Sequence, residues 1–399
     1  MKIVILTQYF YPETGAPQNR LLELSQMFTD LGWKVKVVTA LPNYPKGKIY
    51  AEYSGSFRKK EKIGGIDVER YWLYASNLPR SLPRIVSMLS ISFTSLFSVS
   101  SVRKFRPDYI FAESPPLTLA LSGLMLARSC GAKLLMNVSD IWPLSSKELG
   151  SVSDGKLYHA IESLEKYLYR NAFMCTGQSE EIVDHLRKSG AKRQYLFRNG
   201  VDVKRFAGLK KPEGLSSGKM RIIYAGLLGV AQKISHIAEG IDFSKLGCEF
   251  HICGDGTERS AIEEFVRNHP ERGVFIHDSV PREEVPKLLS EFDCALIPLV
   301  RNIYGAVPSK IYEAMSAGLP ILFSGAGEGA AIVRSRNVGL VNPPGDLNAL
   351  SENIRRLIGT PGLLKQLSEN CTATAINEFD RNKIIPEFAE ELKKYLDVH

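Results

Sequence analysis

A chain of 399 residues is too long for one ordinary core, and 44% hydrophobic with 24% charged residues is the composition of a globular protein of two domains. The net charge of +8 invites anionic partners, yet no basic stripe interleaved with stacking aromatics and no nucleic-acid motif goes with it, which sets nucleic acid aside. Six scattered cysteines without a Cys-x-x-Cys pair argue against a zinc site or a disulfide framework and for a reducing compartment.

The first residues, Lys2 to Thr7, read as a continuous apolar strand rather than a signal peptide, so a cytoplasmic protein is expected. A loop through Gly15-Ala16 leads to a helix with Leu21, Leu24, Phe28 and Leu31 on one face, stopped by Gly32. Trp33 to Ala40 returns as a strand and completes a βαβ unit. Further strands fit 109–112, 133–138, 172–176 and 194–198. Helices fit 117–128, 157–170 and Ser179–Lys188, the last capped by Ser179 and closed by Gly190. Strands alternating with helices imply a parallel sheet covered on both faces.

Cations cluster at Arg58–Lys62 and again at Arg80, Arg84, Arg103, Lys104 and Arg106. Between the latter lies Ile85–Phe97, apolar but interrupted by Ser and Thr, and too short and polar to be read as a membrane span. It fits either an amphipathic segment on an anionic membrane surface or an internal helix with a solvated basic end.

Lys210–Gly218 is polar and rich in turn formers and reads as the linker. Beyond it the pattern repeats, with strands at 220–225, 249–253, 274–277, 294–298 and 319–323 and a helix at 282–291. The expected division is 1–207, a linker at 208–219, 220–380, and a C-terminal helix at 381–399 able to pack back on the first domain. Parallel sheets bind ligands beyond the C-terminal ends of their strands. The loops there carry small residues or carboxylates: Gly15-Ala16, Glu113, Asp140, Gly226 to Lys233, and Gly254-Asp255-Gly256. Each glycine turn alone is equally an ordinary tight turn, and each carboxylate a loop cap.

Pro308–Ile321 is the most informative run. Ser309 is placed to cap a short helix stopped at Gly318, which leaves its first amides for an anion, with Glu313 about one turn inside. A diphosphate on the amides and a ribose diol on the carboxylate suit that geometry; an ordinary capped helix with a surface Glu is the alternative.

In combination and in order, Tyr11–Ala16, Arg198–Asp202, Tyr224–Gly226, His251–Gly256 and Ser309–Pro320 resemble the retaining GT4 glycosyltransferases. The resemblance spans essentially the whole chain and implies the GT-B fold: two Rossmann-like α/β domains whose parallel sheets face an interdomain cleft. Asn137–Pro143 and Gly226–Gln232 are further similar to bacterial surface-polysaccharide transferases, including the N-acetyl-L-fucosaminyltransferase group.

The resemblance implies that Gly15, Glu113, Asp140 and Lys310 serve the chemistry. On the donor side it implies Ala16, Asn199, Gly226 and Gly229, then Gln232, Lys233, Gly254 and Gly256, and finally Pro308, Ser309, Ile311 and Glu313. Three positions depart from the family pattern. Gly305 stands where a first Glu is usual, Leu227 and Gln232 where Arg and Lys usually hold the diphosphate, and Asp140 where many members have His. Lys310, in the first helical turn, is then the favoured cation, with Arg20 or Lys233 as helpers.

The implied reaction is transfer with retention from a nucleotide sugar, by front-face attack, without metal or other cofactor. The sugar is expected to be an N-acetylated amino sugar on UDP. The acceptor is expected to be a polyprenyl-diphosphate-linked sugar at the inner membrane face, met by Arg20, Arg80, Arg84, Arg103 and Lys104. Two other readings stand beside it: a GT-B nucleotide-sugar epimerase, and a non-catalytic nucleotide-sugar-binding protein.

Overall fold

The computed structural model describes residues 1–76, 81–148, 155–209, 218–301 and 303–396. It divides into two units, Met1–Arg198 with Asn382–His399, and Asn199–Arg381. Arg80 and most of the expected linker lie outside the described residues.

Eight strands form the first unit's sheet: β1 (Lys2–Leu6), β2 (Lys34–Ala40), β3 (Arg58–Ile63), β4 (Ile66–Tyr71), β5 (Tyr109–Ser114), β6 (Lys133–Val138), β7 (Met174–Gly177) and β8 (Gln194–Leu196). Their order is β3-β4-β2-β1-β5-β6-β7-β8, parallel except where β3 pairs antiparallel with β4. Helices α1 (Ala16–Asp30), α2 (Ser81–Ser95), α3 (Val99–Phe105), α4 (Leu117–Cys130), α5 (Leu144–Glu148), α6 (Lys156–Asn171) and α7 (Glu180–Lys188) connect them. β5 is buried along its whole length, as an apolar run between two helical layers requires.

The β3–β4 hairpin is absent from the sequence reading, which took Arg58–Lys62 only as a charge cluster. Gly64 and Gly65 both have positive φ, the two-residue hairpin turn for which glycine is needed. The lysines belong to the sheet edge, where charge discourages pairing with another chain.

The second unit holds β9 (Met220–Ala225), β10 (Cys248–Cys253), β11 (Val274–His277), β12 (Cys294–Pro298), β13 (Ile321–Ser324) and β14 (Gly339–Asn342), all parallel in the order β11-β10-β9-β12-β13-β14. This is the doubly wound order, with its switch point between β9 and β12. Its helices are α8 (Ile234–Gly240), α9 (Arg259–Asn268), α10 (Val285–Ser290), α11 (Lys310–Ser316), α12 (Gly327–Ser335), α13 (Leu347–Gly359) and α14 (Leu363–Glu378). Separate apolar cores cover the two sheet faces, one built with α11, α12 and α14, the other with α8, α9 and α13.

The last helix, α15 (Arg381–Lys393), belongs to the first unit. Phe388 stacks within 4.4 Å of Phe197, and the Tyr109 hydroxyl donates to the Leu392 carbonyl at 2.7 Å. The units divide after Arg198, nine residues earlier than the expected 207. The Val201 amide donates to the Phe379 carbonyl at 2.9 Å, and Val201 and Phe206 are buried in the second unit's core. Arg381 fastens this segment through the carbonyls of Asn199 and Gly200, each at 2.9 Å.

Candidate active site

In the second unit a cavity of about 390 Å³ opens at the C-terminal ends of β9, β10 and β12 and against α11. It brings together Gly226, Gly254, Ser309 and Glu313, expected on the donor side, and Lys310, expected to serve the chemistry. Between β9 and α8, and again between β10 and α9, the chain turns through glycines that let backbone meet backbone. The Gly226 amide donates to the Cys253 carbonyl and the Leu228 amide to the Asp255 carbonyl, both at 2.9 Å. A Cβ on Gly254 would run into the Gly226 carbonyl, and one on Gly256 into the Leu228 carbonyl. Gly254 and Gly256 are therefore required first by the packing of the two turns.

Gly226 has a second reason. Its φ is 146°, and a Cβ there would lie 2.6 Å from the Lys310 ammonium nitrogen. The bare Cα leaves the lane along which Lys310 reaches into the cavity, with its nitrogen 5.8 Å from the Tyr224 ring centroid. Burial pushes the Lys310 pKa down and Glu313 opposes the shift. The Glu313 carboxyl is pushed up by burial, with Lys310, Arg205 and Arg282 pulling it back.

The two arginines were missed from sequence. Arg205 follows the crossing segment and donates to the Arg282 carbonyl at 2.6 Å, so both stand within electrostatic reach of Glu313. No local signal announces this, because more than a hundred residues separate Arg205 from Glu313. Both arginines act on Glu313, while among the residues lining the cavity Lys310 is the cation.

Ser309 does not cap α11. Its own dihedrals are helical (φ −60°, ψ −24°) and its side chain makes no cap hydrogen bond. Backbone carbonyls take over: Pro308 accepts from Ile311 at 3.1 Å, and Ser309 from Tyr312 at 3.0 Å. The Ser309 side chain lines the cavity instead. With only seven residues, α11 has a weak dipole, so the positive charge facing a ligand is mainly that of Lys310.

Other expected donor residues fall elsewhere. Ile311 is fully buried in the core, and Pro308 is a turn residue. Gln232 and Lys233 line a separate cavity of about 20 Å³ beside Pro298 and Asp346, and Gly229 accepts both of their amides in the turn before α8. Asn199 belongs to the crossing segment held by Arg381.

In the first unit the C-terminal ends of β1, β5 and β6 carry Gly15, Glu113 and Asp140. Gly15 is extended and gives α1 no side-chain cap, and Pro17 stands in the first turn. Glu113 is not a free carboxylate. Arg20 contacts it at 2.5 Å, Asn137 donates to its other oxygen at 2.9 Å, and the Ser139 hydroxyl bonds it as well. Thr176 extends the network to Asn137 at 2.7 Å. Glu113, expected to serve the chemistry, and Arg20, expected to meet an acceptor or a membrane, are both buried and paired with each other. Their ion pair instead fixes the loop that presents Asp140. Asp140 itself keeps part of its surface open to solvent, and partial desolvation raises its pKa to about 6, with Glu113 adding to the rise and Arg20 opposing it.

Arg103 is tied to the Ser129 carbonyl at 2.9 Å and, with Lys104, occupies the last turn of α3, where cations suit the helix end. Arg84 lines a second cavity, next to Tyr9 and Ser87. Among the described residues no group of three or more His, Cys, Asp or Glu is placed to hold a metal ion, and all six cysteines are free thiols.

Two family profiles match the chain: "Glycosyl transferase 4-like domain" over residues 15–200 and "Glycosyl transferases group 1" over residues 212–360. WcaI of Escherichia coli K12, assigned to colanic acid biosynthesis as a glycosyl transferase, is 25% identical over 335 residues, 80% of this chain and 82% of that protein. A GDP-mannose-dependent alpha-mannosyltransferase of Mycobacterium tuberculosis is 22% identical over 87% of this chain and 85% of its own. Among solved structures, Anabaena HepE in complex with UDP superposes with a TM-score of 0.72 at 17% identity, covering 99% of this chain and all of the other.

Proposed function

Because the chain belongs to the GT4-type glycosyltransferases of GT-B fold and is an enzyme of polysaccharide-type biosynthesis, we propose that it transfers an N-acetylated amino sugar from a UDP donor, with retention, to a lipid-linked or saccharide acceptor in bacterial surface-polysaccharide synthesis. The observation that carries the reading is the second-unit cavity, where Gly226, Lys310 and Glu313 converge. A nucleoside diphosphate has the matching parts. The Lys310 ammonium faces the phosphates, the Glu313 carboxylate accepts from the ribose diol, and the apolar wall of Val280, Val285 and Leu288 receives the base.

As the anomeric bond breaks, negative charge grows on the departing diphosphate. Lys310, already desolvated, stabilises that charge better in the transition state than in the ground state. A leaving phosphate oxygen then accepts the proton of the attacking hydroxyl, so neither an enzyme nucleophile nor a metal is needed. Asp140 orients hydroxyl groups on the acceptor side. The choice of an N-acetylated amino sugar rests on the likeness of Asn137–Pro143 and Gly226–Gln232 to N-acetyl-L-fucosaminyltransferases, and the choice of UDP on HepE. The protein works peripherally at the inner face of the cytoplasmic membrane, with a polyprenyl-diphosphate-linked sugar as acceptor. One apolar helical stretch, Leu82–Phe105, supports that placement.

The test is nucleotide release from UDP- and GDP-linked sugars with and without a polyprenyl-diphosphate-linked sugar. Acceptor-dependent UDP release with the product's anomeric configuration retained supports the reading. Release only from GDP-sugars, an inverted product, or conversion of the donor alone overturns it.

A further inference from the structure

Along β9 the side chains alternate between the two cores of the second unit. Ile223 belongs to the core covered by α11, whereas Met220, Ile222 and Tyr224 belong to the opposite one, covered by α8 and α9. Lys310 starts on α11, yet its ammonium ends over the ring of Tyr224. To reach that ring the side chain passes the end of the strand at Gly226, where the missing Cβ leaves room for its last carbon and its nitrogen. Lys310 and Tyr224 thus meet around the end of β9 from opposite faces of the sheet.

The ring is held fast at that point. Tyr224 is 1% exposed, and its hydroxyl donates to the Leu227 carbonyl at 2.5 Å, closing the turn in which Gly226 lies. Burial, and after it Glu258, raise the pKa of the hydroxyl and keep it neutral. Among the described residues Glu313 alone acts on the Lys310 charge, and burial works against that charge. Asp255 shares the cavity, while Arg205 and Arg282 act on Glu313. An aromatic face favours an ammonium over a neutral amine, most of all where water is excluded. The Tyr224 ring therefore opposes the effect of burial on Lys310.

We propose that Tyr224 is a positioning residue for the transfer: its ring seats the Lys310 ammonium at the end of β9 and sustains the charge that meets the departing diphosphate. The task given to Lys310 rests on the donor reading above; its seat does not. The ring touches no reacting atom and acts through the lysine.

The test varies the electrons of the ring at nearly constant shape. Tyr224→Phe keeps the aromatic face, and difluoro- and then pentafluorophenylalanine at position 224 withdraw its electron density stepwise. Competitive acetylation of the full-length protein across pH, read at Lys310 by mass spectrometry, gives the midpoint of its titration without any ligand. Losing a group that favours the charged form lets the proton leave at lower pH. Tyr224→Phe should keep the wild-type midpoint. The pentafluoro variant should titrate about half a unit to one unit lower, with the difluoro variant in between. Above the wild-type midpoint the pentafluoro variant should bind inorganic pyrophosphate about three- to tenfold more weakly and uridine as well as wild type does. One midpoint for the whole series overturns the proposal. So does an equal loss for uridine and pyrophosphate, which marks a distorted cavity. Failure of wild type to bind pyrophosphate would instead defeat the donor reading, with the midpoints still deciding the seat.

Discussion

Replacing Glu313 by alanine tests the donor site most sharply, because two effects of opposite sign meet there. In the ribose assignment the carboxylate accepts two hydrogen bonds from the diol, and bonds to a charged group contribute about 1.5–3 kcal/mol each. Water competes for a half-buried carboxylate, so the lower end of that range applies, a gross loss of about 3 kcal/mol. Against it, Lys310, Arg205 and Arg282 lose a neutralising charge. At an effective dielectric near 20 the extra attraction for a diphosphate is on the order of 1 kcal/mol once salt screens it. The net is about 2 kcal/mol, or about 30-fold weaker binding of UDP-sugar.

Isothermal titration with three ligands separates the parts. Glu313→Ala should lose affinity for UDP-sugar and for uridine, yet bind inorganic pyrophosphate at least as well as wild type. Glu313→Gln keeps the shape and should recover part of the uridine affinity. Near-normal UDP-sugar binding by the alanine variant would refute the ribose assignment. A parallel loss for pyrophosphate would refute the balance of charges.

Gly226→Ala places a Cβ in a backbone region that suits glycine and against the Lys310 ammonium; it should cost about 1–3 kcal/mol of stability and, in a donor titration, weaken binding. Arg20→Ala strands Glu113 as a buried charge and should lower stability by about 3–5 kcal/mol in urea unfolding, whereas an exposed Glu113 would give almost no change. Asp140 has a folded pKa of about 6 against an ordinary 3.8, so its stabilising contribution is complete below the lower value and is lost as pH rises through the upper one. Asp140→Asn should therefore gain in Tm relative to wild type above pH 6, and a difference independent of pH would contradict the raised pKa.

What the sequence revealed depended on whether the signal was local. Lys310 and Glu313 lie in one short run whose apolar spacing marks helix and strand together, so their joint appearance in the cavity was legible. Ser309 was misjudged because capping depends on the dihedrals of the cap residue, and those of Ser309 are already helical. The β3–β4 hairpin had a readable sign in Ile63-Gly64-Gly65-Ile66, obscured by the lysines that mark an edge strand. Arg205 and Arg282 had none, since only the tertiary fold brings them to Glu313. Gln232 and Lys233 were carried over from a family position, and the turn before α8 directs them to a different cavity.

The charges around Glu313 also bear on why the missing family cations are tolerated. Of the two departing positions only Leu227 lines the cavity with Gly226 and Lys310, and Leu227→Lys would set a second ammonium group near the first, where the two repel and each loses basicity. Placing the positive charge on Lys310 and on two arginines from other elements spreads it around the carboxylate, and arginine keeps its proton on burial more readily than lysine does. In this arrangement Glu313 sits among three cations that lower its pKa against the effect of burial. Introducing Gln232→Lys should consequently add little to donor affinity, because that side chain enters the smaller cavity beside Asp346. A gain of tenfold or more in a UDP-sugar titration would show that the turn can still deliver a cation to the phosphates.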